Sequence, residues 1–415
     1  MRDLLFLSHR VPYPPDKGDK IRAWNIFRHL ARSHRIHLGC FIDDPADRQH
    51  LAELRSHCAD FACFPLDGRM QRLKALLRLR RGQPLSLGYF HDRRLKQWVD
   101  TKLGDPAIQD VFVFSSAMAG YVMYAEGTRR ILDMVDVDSE KWTAYAETAR
   151  FPARAIWARE GRTLLAHERL AAARFDHSLF VSEHEWQRFV TLAPETIQRT
   201  GWISNGVDFD YFSPERRYPP PFVGEGADIV FTGRMDYRPN IDAVQWFARQ
   251  VLPALRQHVP TARFWIVGSS PTHDVRELAT LSGVQVTGRV ADTRPWLASA
   301  DVVVAPLRIA RGIQNKVLEA MAMARPVVAT PEAFEGVRAV PGQDILLASG
   351  MDETVKRIAD VLDGRHATMG AHARCAVETA HQWSAMLRPL DRLFGVASPV
   401  GEVMRSVPTH SDLPV

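Results

Sequence analysis

Residues 305–330 read APLRIARGIQNKVLEAMAMARPVVAT. The stretch leaves an apolar strand, crosses a loop at Gly312, enters a helix and passes through Pro326 into another strand. A glycine-bearing loop at a helix N-terminus offers free backbone N–H groups and a positive dipole to an anion. Lys316 and Glu319 are three residues apart and so share one helix face. An ammonium there can bind a diphosphate, and a carboxylate can accept sugar hydroxyls, so the pattern favours a nucleotide-sugar site.

The same alternation of apolar runs with helix-like segments extends along the whole chain. Such alternation predicts an α/β protein in which helices flank parallel sheets. The expected strands of the first half are Leu4–Leu7, Ile36–Phe41, Val111–Phe114, Ile131–Val135 and Ser178–Val181. Those of the second half are Asp228–Thr232, Arg263–Val267, Val284–Thr287, Val302–Ala305 and Val327–Ala329.

A proline-rich stretch separates the two sets of strands. It runs from Pro214 to Gly226 and contains three consecutive prolines, a composition typical of a linker. We therefore expect domains at residues 1–205 and 206–395 that face each other across a cleft, and a disordered tail over 396–415. Open parallel sheets bind ligands at the carboxyl ends of their strands, which places the predicted site in that cleft.

Composition and charge narrow the class of protein. With 46% hydrophobic and 24% charged residues, the chain of 415 residues resembles an ordinary globular protein. The four cysteines lack the spacing of a zinc or redox motif. Residues 1–205 hold 31 Lys and Arg against 25 Asp and Glu, so the first half is basic and suits an anionic partner. The basic residues are not interleaved with aromatic ones, which argues against nucleic acid as that partner.

The stretch 305–330 also resembles the donor-binding motif of retaining GT-B glycosyltransferases of family 4. In that family a Glu, seven residues and a second Glu precede a segment like Ala320–Thr330, and the second Glu matches Glu319. Arg311 stands where the first Glu would be, followed by Gly312 and Ile313 in the same loop. A guanidinium can only donate hydrogen bonds. Arg311 therefore suits a donor sugar with a carboxylate, or it pairs with an acidic neighbour, or it lies in solvent.

Glycine-bearing loops after other predicted strands extend the resemblance. The loop after the first strand holds Gly18 and Arg22, at the place where the family's N-terminal loop faces the donor diphosphate and the acceptor. Taken alone, a single glycine there also fits a solvated turn. In the second half the family's Gly-Arg pair matches Gly233 and Arg234. Pro239 stands where the family has a lysine, and Arg238, one residue earlier, is the candidate to take the place of that lysine. Loops with the same pattern, beside the donor base and ribose in the family, are those at Gly268 and Gly288.

Carboxylates cluster at the end of the predicted strand Ile131–Val135. An Asp-x-Asp triplet can hold a divalent metal in another glycosyltransferase architecture, but the GT-B resemblance implies that none is bound here. Many family members have a His or Asp nearby that contacts the acceptor, and Asp136 and Asp138 are the candidates. The alternative is that both are structural.

A basic segment lies at residues 69–81. It holds six Lys or Arg residues and no acidic ones, and Met70, Leu73, Leu76 and Leu77 follow one helical stripe. This pattern fits a helix on anionic lipid as well as a surface helix docked on the domain core.

The resemblance as a whole implies a GT-B fold with two Rossmann-like domains and a hexosyltransferase without a cofactor. Taken together, these motifs are similar to those of the sugar transferases of PEP-CTERM-type exopolysaccharide systems. The expected substrates are a nucleotide-diphosphate sugar and a glycan or lipid-linked acceptor, and the expected location is cytoplasmic or peripheral on the inner face of the plasma membrane. The alternatives are a nucleotide-sugar epimerase and a non-catalytic nucleotide-binding partner. The catalytic candidates are Arg234, Lys316, Glu319 and Asp136, and the substrate-binding candidates are Gly18, Arg22, Asp138, Gly233, Arg238, Gly268, Gly288, Arg311, Gly312 and Ile313.

Overall fold

A computed structural model describes residues 1–68, 71, 82–310 and 312–396. Arg311, nearly all of the basic segment 69–81 and the expected tail, apart from its first residue, lie outside the described residues. No helix in the described part of the chain is long and apolar enough to cross a membrane.

The first half of the chain forms a seven-stranded parallel sheet in the order β3-β2-β1-β4-β5-β6-β7. Its inner strand β1 carries Leu4 to Leu7, which are completely buried, because a parallel sheet is covered by helices on both faces. The strands are β1 (Arg2–Ser8), β2 (His34–Ile42), β3 (Asp60–Pro65), β4 (Ile108–Phe114), β5 (Arg129–Val135), β6 (His177–Phe180) and β7 (Thr200–Trp202).

Seven described α-helices accompany this sheet, and two of them form a long hairpin after β5. They are α1 (Gly18–Leu30), α2 (Leu51–Ser56), α3 (Leu85–Tyr89), α4 (Arg93–Leu103), α5 (Asp138–Thr148), α6 (Ala153–Arg174) and α7 (Glu183–Leu192). Short 3-10 turns at Pro45–His50, Ser116–Tyr121 and Pro194–Arg199 complete the connections.

The second half forms a six-stranded parallel sheet in the order β10-β9-β8-β11-β12-β13. Its strands are β8 (Ala227–Thr232), β9 (Ala262–Val267), β10 (Val284–Gly288), β11 (Val302–Ala305), β12 (Val327–Ala329) and β13 (Leu346–Leu347). The expectation of two parallel sheets is confirmed, and the Pro214–Gly226 stretch between them contains no helix or strand.

Ten further α-helices follow the linker. They are α8 (Arg238–Trp246), α9 (Leu252–His258), α10 (His273–Glu277), α11 (Arg294–Ser299), α12 (Asn315–Ala322), α13 (Pro331–Phe334), α14 (Gly350–Leu362), α15 (Met369–Ala380), α16 (Trp383–Met386) and α17 (Arg388–Leu393). A π-helical turn at Phe247–Val251 joins α8 to α9.

The last two helices return to the first sheet. Trp383, Leu387, Leu390 and Phe394 are buried in the same cluster as Leu4 and its neighbours on one face of that sheet. The chain therefore crosses between the two sheets twice. The division at residues 205 and 206 stays a prediction, and this packing suggests that the segment after His381 belongs with the first sheet.

The two crossings lie side by side and are bonded to each other. The backbone N–H of Val207 donates to the carbonyl of His381 at 2.8 Å, and Val207 pairs with Gln382 in an isolated parallel bridge. Gly206 is required here, because a Cβ at this position would lie 2.6 Å from the Trp383 nitrogen. The imidazole of His381, completely buried, lies 3.0 Å from the Asn205 carbonyl oxygen and ties the crossings together again.

Candidate active site

The carboxyl-end loops of the two sheets meet in a cleft. A Cβ placed on Gly312, which has a φ of +62°, would lie 2.9 Å from the Asp136 Oδ1 atom of the other half. On the same side, a Cβ on Gly18 would lie 3.7 Å from the Asn315 side-chain nitrogen. Loops that are about 180 and 300 residues apart in the chain therefore approach one another where the sequence predicts the site.

Three glycine loops stack at the ends of β8, β9 and β10. A Cβ on Gly268 would lie 1.7 Å from the carbonyl oxygen of Gly233, so any larger residue would force these two loops apart. The Gly268 N–H donates to the Gly288 carbonyl at 3.2 Å. A Cβ on Gly233 would lie 3.1 Å from the Lys316 amine. The glycines thus create a shallow backbone surface beside a cation, which suits a phosphate group.

Lys316 lies in the first turn of α12, half-buried beneath this surface. Its Nζ atom donates to Asn240 Oδ1 at 2.6 Å and lies 4.2 Å from the centre of the Phe231 ring. Burial lowers the pKa of Lys316 to about 7, and the negative charge of Glu319 opposes this shift only in part. An anion that enters the cleft would favour the protonated amine, so the site is prepared for negative charge.

Asn240 was not selected from the sequence, although it connects two of the predicted residues. Its side chain accepts from Lys316 and donates through Nδ2 to the Arg234 carbonyl at 2.8 Å. It therefore fixes the lysine amine against the Gly233–Arg234 loop. In the sequence, the signal that could have identified it is an asparagine in the first turn of the helix that follows the Gly-Arg loop.

Arg234 is one-third exposed and pairs with a carboxylate two residues further along the chain. Its Nε donates to Asp236 Oδ1 at 2.9 Å, and its Nη2 forms a second bond to Asp236. The hydrogen bonds that Arg234 donates to Asp236 raise the pKa of Arg234, and the charges of Asp19 and Asp16 across the cleft raise it further. The guanidinium is therefore held at the cleft surface and faces the acidic N-terminal loop.

Glu319 is half-buried one helical turn beyond Lys316. Burial raises the pKa of Glu319 to about 7, and the charge of Lys316 lowers it in part. Beside it stands Tyr211, whose pKa is raised by burial, by Asp292 and, to a smaller extent, by Glu319. Arg294 stacks 3.7 Å above the Tyr211 ring and pairs with Asp292 at 2.7 Å.

The sequence analysis did not select Tyr211, Asp292 and Arg294, because they come from two segments of the second half that are distant in sequence from Glu319. Together they form an aromatic and polar wall beside the carboxylate. Such a wall suits a nucleoside, since a base can stack on an aromatic ring while a carboxylate accepts two ribose hydroxyls.

The other side of the cleft is the turn after β5. Lys141 donates to Asp136 at 2.8 Å and to Asp138 at 2.9 Å, so both carboxylates share one ammonium. Asp136 is the closer of the two to the second half, because it contacts the Gly312 loop. Asp133 lies below them and is completely buried.

This turn is held in an unusual conformation by carboxylates beneath it. Val135 has a φ of +68°, which is costly for a β-branched residue, and its N–H donates to Asp133 at 3.1 Å. The Val137 N–H donates to buried Glu185 at 2.8 Å. Glu168 accepts from both the N–H and the hydroxyl of Ser139, and burial raises the pKa of Glu168 to about 8. The strained turn positions Asp136 against the cleft.

Arg22 differs from its expected role as a substrate contact. Its guanidinium is buried and donates twice to Asp133, at 2.8 and 3.2 Å, and also to the Ile203 carbonyl and the Asn205 side chain. Asn205 in turn donates to Asn315 at 2.9 Å. We therefore assign Arg22 a positioning role, since it links the turn below Asp136 to the start of α12.

Three further residues are predicted to contact the substrate, and the structure places two of them, Arg238 and Ile313. Arg238 stacks 5.4 Å from the centre of the Tyr145 ring of α5, so it spans the cleft instead of replacing a phosphate-binding lysine. Ile313 is buried and packs against Gly336, which leaves its backbone as the part that can meet a ligand. Arg311 lies outside the described residues.

Comparisons with known proteins agree with this geometry. Residues 226–363 match the family model of group 1 glycosyl transferases. Among solved structures, HepE of Anabaena in complex with UDP and glucose aligns with a TM-score of 0.69 and 15% identity, covering 96% of this chain and all of that one. Sucrose-phosphate synthase of Thermosynechococcus elongatus gives 0.66 and 18%, with coverages of 95% and 98%.

WaaG, a glycosyltransferase involved in lipopolysaccharide biosynthesis, gives a TM-score of 0.66 at 15% identity, with coverages of 94% and 100%. No curated protein shows a significant match to this sequence. The structural alignments extend over nearly the whole chain and confirm the expected arrangement of two sheets around a cleft. Residues 226–363 are thus similar to the group 1 glycosyl transferases, and the chain as a whole has the GT-B fold.

Proposed function

We propose that this chain transfers a sugar, in the simplest case a hexose, from a nucleoside diphosphate to a glycan or lipid-linked acceptor, with retention of configuration. The observation that carries the proposal is a cleft in which the Gly312 loop approaches Asp136 while Lys316, four residues after Gly312, lies beside the stacked glycines. HepE was solved with UDP-glucose, which supports a nucleotide-sugar donor. The resemblance to PEP-CTERM-type transferases and the fold of WaaG support a role in exopolysaccharide assembly.

In this proposal the second half binds the donor. Glu319 accepts the ribose hydroxyls beside Tyr211, and the diphosphate lies along Gly233 and Gly268 within reach of Lys316. The leaving diphosphate gains negative charge as the glycosidic bond breaks. Arg234, Lys316 and the N–H groups at the start of α12 stabilise that charge, and electrostatic preorganisation is most effective at such a point.

The first half orients the acceptor. Asp136 is the carboxylate nearest the donor loop and can accept a hydrogen bond from the attacking hydroxyl, while Asp138 lies one turn further out. Lys141 already compensates the charge of both carboxylates. A divalent cation would have to displace this ammonium, which supports a reaction without metal and a cofactor-free enzyme.

The proposal is tested with purified protein and UDP-, GDP-, ADP- and dTDP-sugars. A thermal shift identifies the donor, and incubation with that donor and an acceptor glycan then reveals transfer or hydrolysis. Transfer that persists in EDTA, with an unchanged anomeric configuration by NMR, supports the proposal. Conversion of the donor sugar without an acceptor would identify an epimerase, and binding without turnover would identify a non-catalytic partner. Transfer that stops in EDTA and returns with Mn²⁺ contradicts the metal-free mechanism.

A further inference from the structure

The hairpin of α5 and α6 is a rigid projection from the acceptor side of the cleft. The helices are in close contact because Gly161 lacks a side chain, and a Cβ there would lie 2.6 Å from the Thr143 hydroxyl. Tyr145 packs between Trp142 and Trp157, with ring centres 6.0 and 5.8 Å apart. The hairpin is thus held by its own contacts as well as by Glu168 at its base.

The end of this hairpin, residues 149–162, exposes large apolar side chains. Phe151 is 85% exposed and Ile156 is 40% exposed. Both side chains lie within six residues of the turn between α5 and α6, so they can contribute to one exposed apolar surface, and such surfaces often bind a partner or a membrane. We refer to residues 149–162 as the hairpin tip.

The exposed charge of the hairpin tip has one sign. Arg150, Arg154 and Arg162 are exposed. The single carboxylate of the tip, Glu160, is buried and accepts from the backbone of α3 at 2.7 and 2.9 Å, so it does not face solvent. An exposed aromatic ring beside arginines suits the surface of a phospholipid bilayer. The ring can enter the boundary between headgroups and acyl chains while the cations contact the headgroups.

The described chain from Gln83 to Ser86 lies against α6. The Arg159 guanidinium donates to the Gln83 carbonyl at 3.2 Å, and Glu160 accepts from the N–H groups of Leu85 and Ser86. These contacts fix α6 against the start of α3.

We propose that the hairpin tip docks on an anionic phospholipid bilayer. The base of the hairpin carries Asp138 and Lys141 beside the cleft, and α5 spans eleven residues, or about 16 Å, from there to the tip. The inference deepens the proposed function, on which its purpose rests. A bilayer at the tip would place the cleft within reach of an acceptor whose glycan is attached to lipid.

The test is flotation of the full-length protein with phosphatidylcholine vesicles, with and without phosphatidylglycerol. We expect binding only to the anionic vesicles, and weaker binding as salt rises. The combined variant Phe151→Ser, Ile156→Ser, Arg150→Gln and Arg154→Gln should lower the bound fraction about tenfold or more, because it removes both the apolar and the cationic contacts. Retained thermal stability and donor binding show that this variant is folded.

A matched control removes an equally exposed apolar residue and two exposed arginines from the linker. This variant, Val223→Ser with Arg216→Gln and Arg217→Gln, should bind like the wild type. Equal binding by the tip variant, or equal loss in the control, overturns the proposal. So does release only by Arg72→Glu, Lys74→Glu and Arg78→Glu, because the segment 69–81 would then be the sole contact. Flotation does not depend on transfer, so a failure of the proposed function would appear separately.

Discussion

The binding of a diphosphate should be linked to protonation of Lys316. In the free protein burial lowers the pKa of this amine to about 7, from an ordinary value of 10.5. A bound diphosphate favours the ammonium and raises that pKa. Affinity is therefore fully present below pH 7 and falls as the pH rises through about 7 towards the pKa of the complex.

The size of the pH effect on affinity follows from the protonated fraction of Lys316. At pH 8 roughly one-tenth of the free protein carries a protonated Lys316, so binding should take up nearly one proton and be about tenfold weaker than at pH 6.5. Lys316→Ala removes a charge-assisted contact worth about 1.5–3 kcal/mol, which corresponds to about 10- to 150-fold in affinity at low pH. Lys316→Arg keeps its charge and should remove the part of the pH dependence that comes from the amine.

The assay is isothermal titration calorimetry in two buffers with different ionisation enthalpies. Inorganic pyrophosphate carries no ribose for Glu319. Its own titration is the same with the wild type and with Lys316→Arg, so the difference between these two proteins isolates the amine. With the nucleoside diphosphate, ionisation of Glu319 should add a second pH dependence of the affinity. Burial raises the pKa of this carboxyl to about 7, and affinity rises with pH as it ionises. Lys356→Ala, at an exposed lysine of α14, serves as the control. If Lys316→Ala and Lys356→Ala bind equally well, with no proton uptake in the wild type, the reasoning about Lys316 is wrong.

Other substitutions test the packing and the acceptor side. Gly268→Ala should abolish donor binding, because its Cβ would lie 1.7 Å from a backbone oxygen, whereas Gly120→Ala enters open space and should have no effect in the same titration. Arg22→Met leaves Asp133 buried without its partner and should lower the free energy of unfolding by about 3–5 kcal/mol in urea denaturation; an unchanged midpoint would contradict the positioning role. Asp136→Asn should reduce transfer at least about 100-fold without changing donor affinity, and a parallel loss of donor affinity would place Asp136 in the donor site instead.

The strands that were predicted and those that were missed differ in their position in the sheets. All ten apolar runs expected from the sequence correspond to strands. The three strands that were missed, β3, β7 and β13, are all edge strands. β7 and β13 have only three and two residues, and β3 is partly exposed, so none shows the continuous apolar run of a strand buried on both faces.

The positions of some candidate residues follow from local chain geometry, because loops at the carboxyl ends of neighbouring parallel strands lie close together. Gly233 and Lys316 lie side by side for this reason, and their roles in binding stay predictions. Arg22 could not be assigned in this way, because its partners Asp133 and Asn205 are 111 and 183 residues away. A single sequence does not show which distant carboxylate will pair with a buried guanidinium.

The paired chain crossings have a mechanical consequence. Two chain segments bonded side by side, at Val207 and Gln382, resist rotation of one half against the other about a single segment. The pairing therefore limits the relative positions that the two halves can take. It favours the arrangement in which the Gly312 loop lies opposite Asp136.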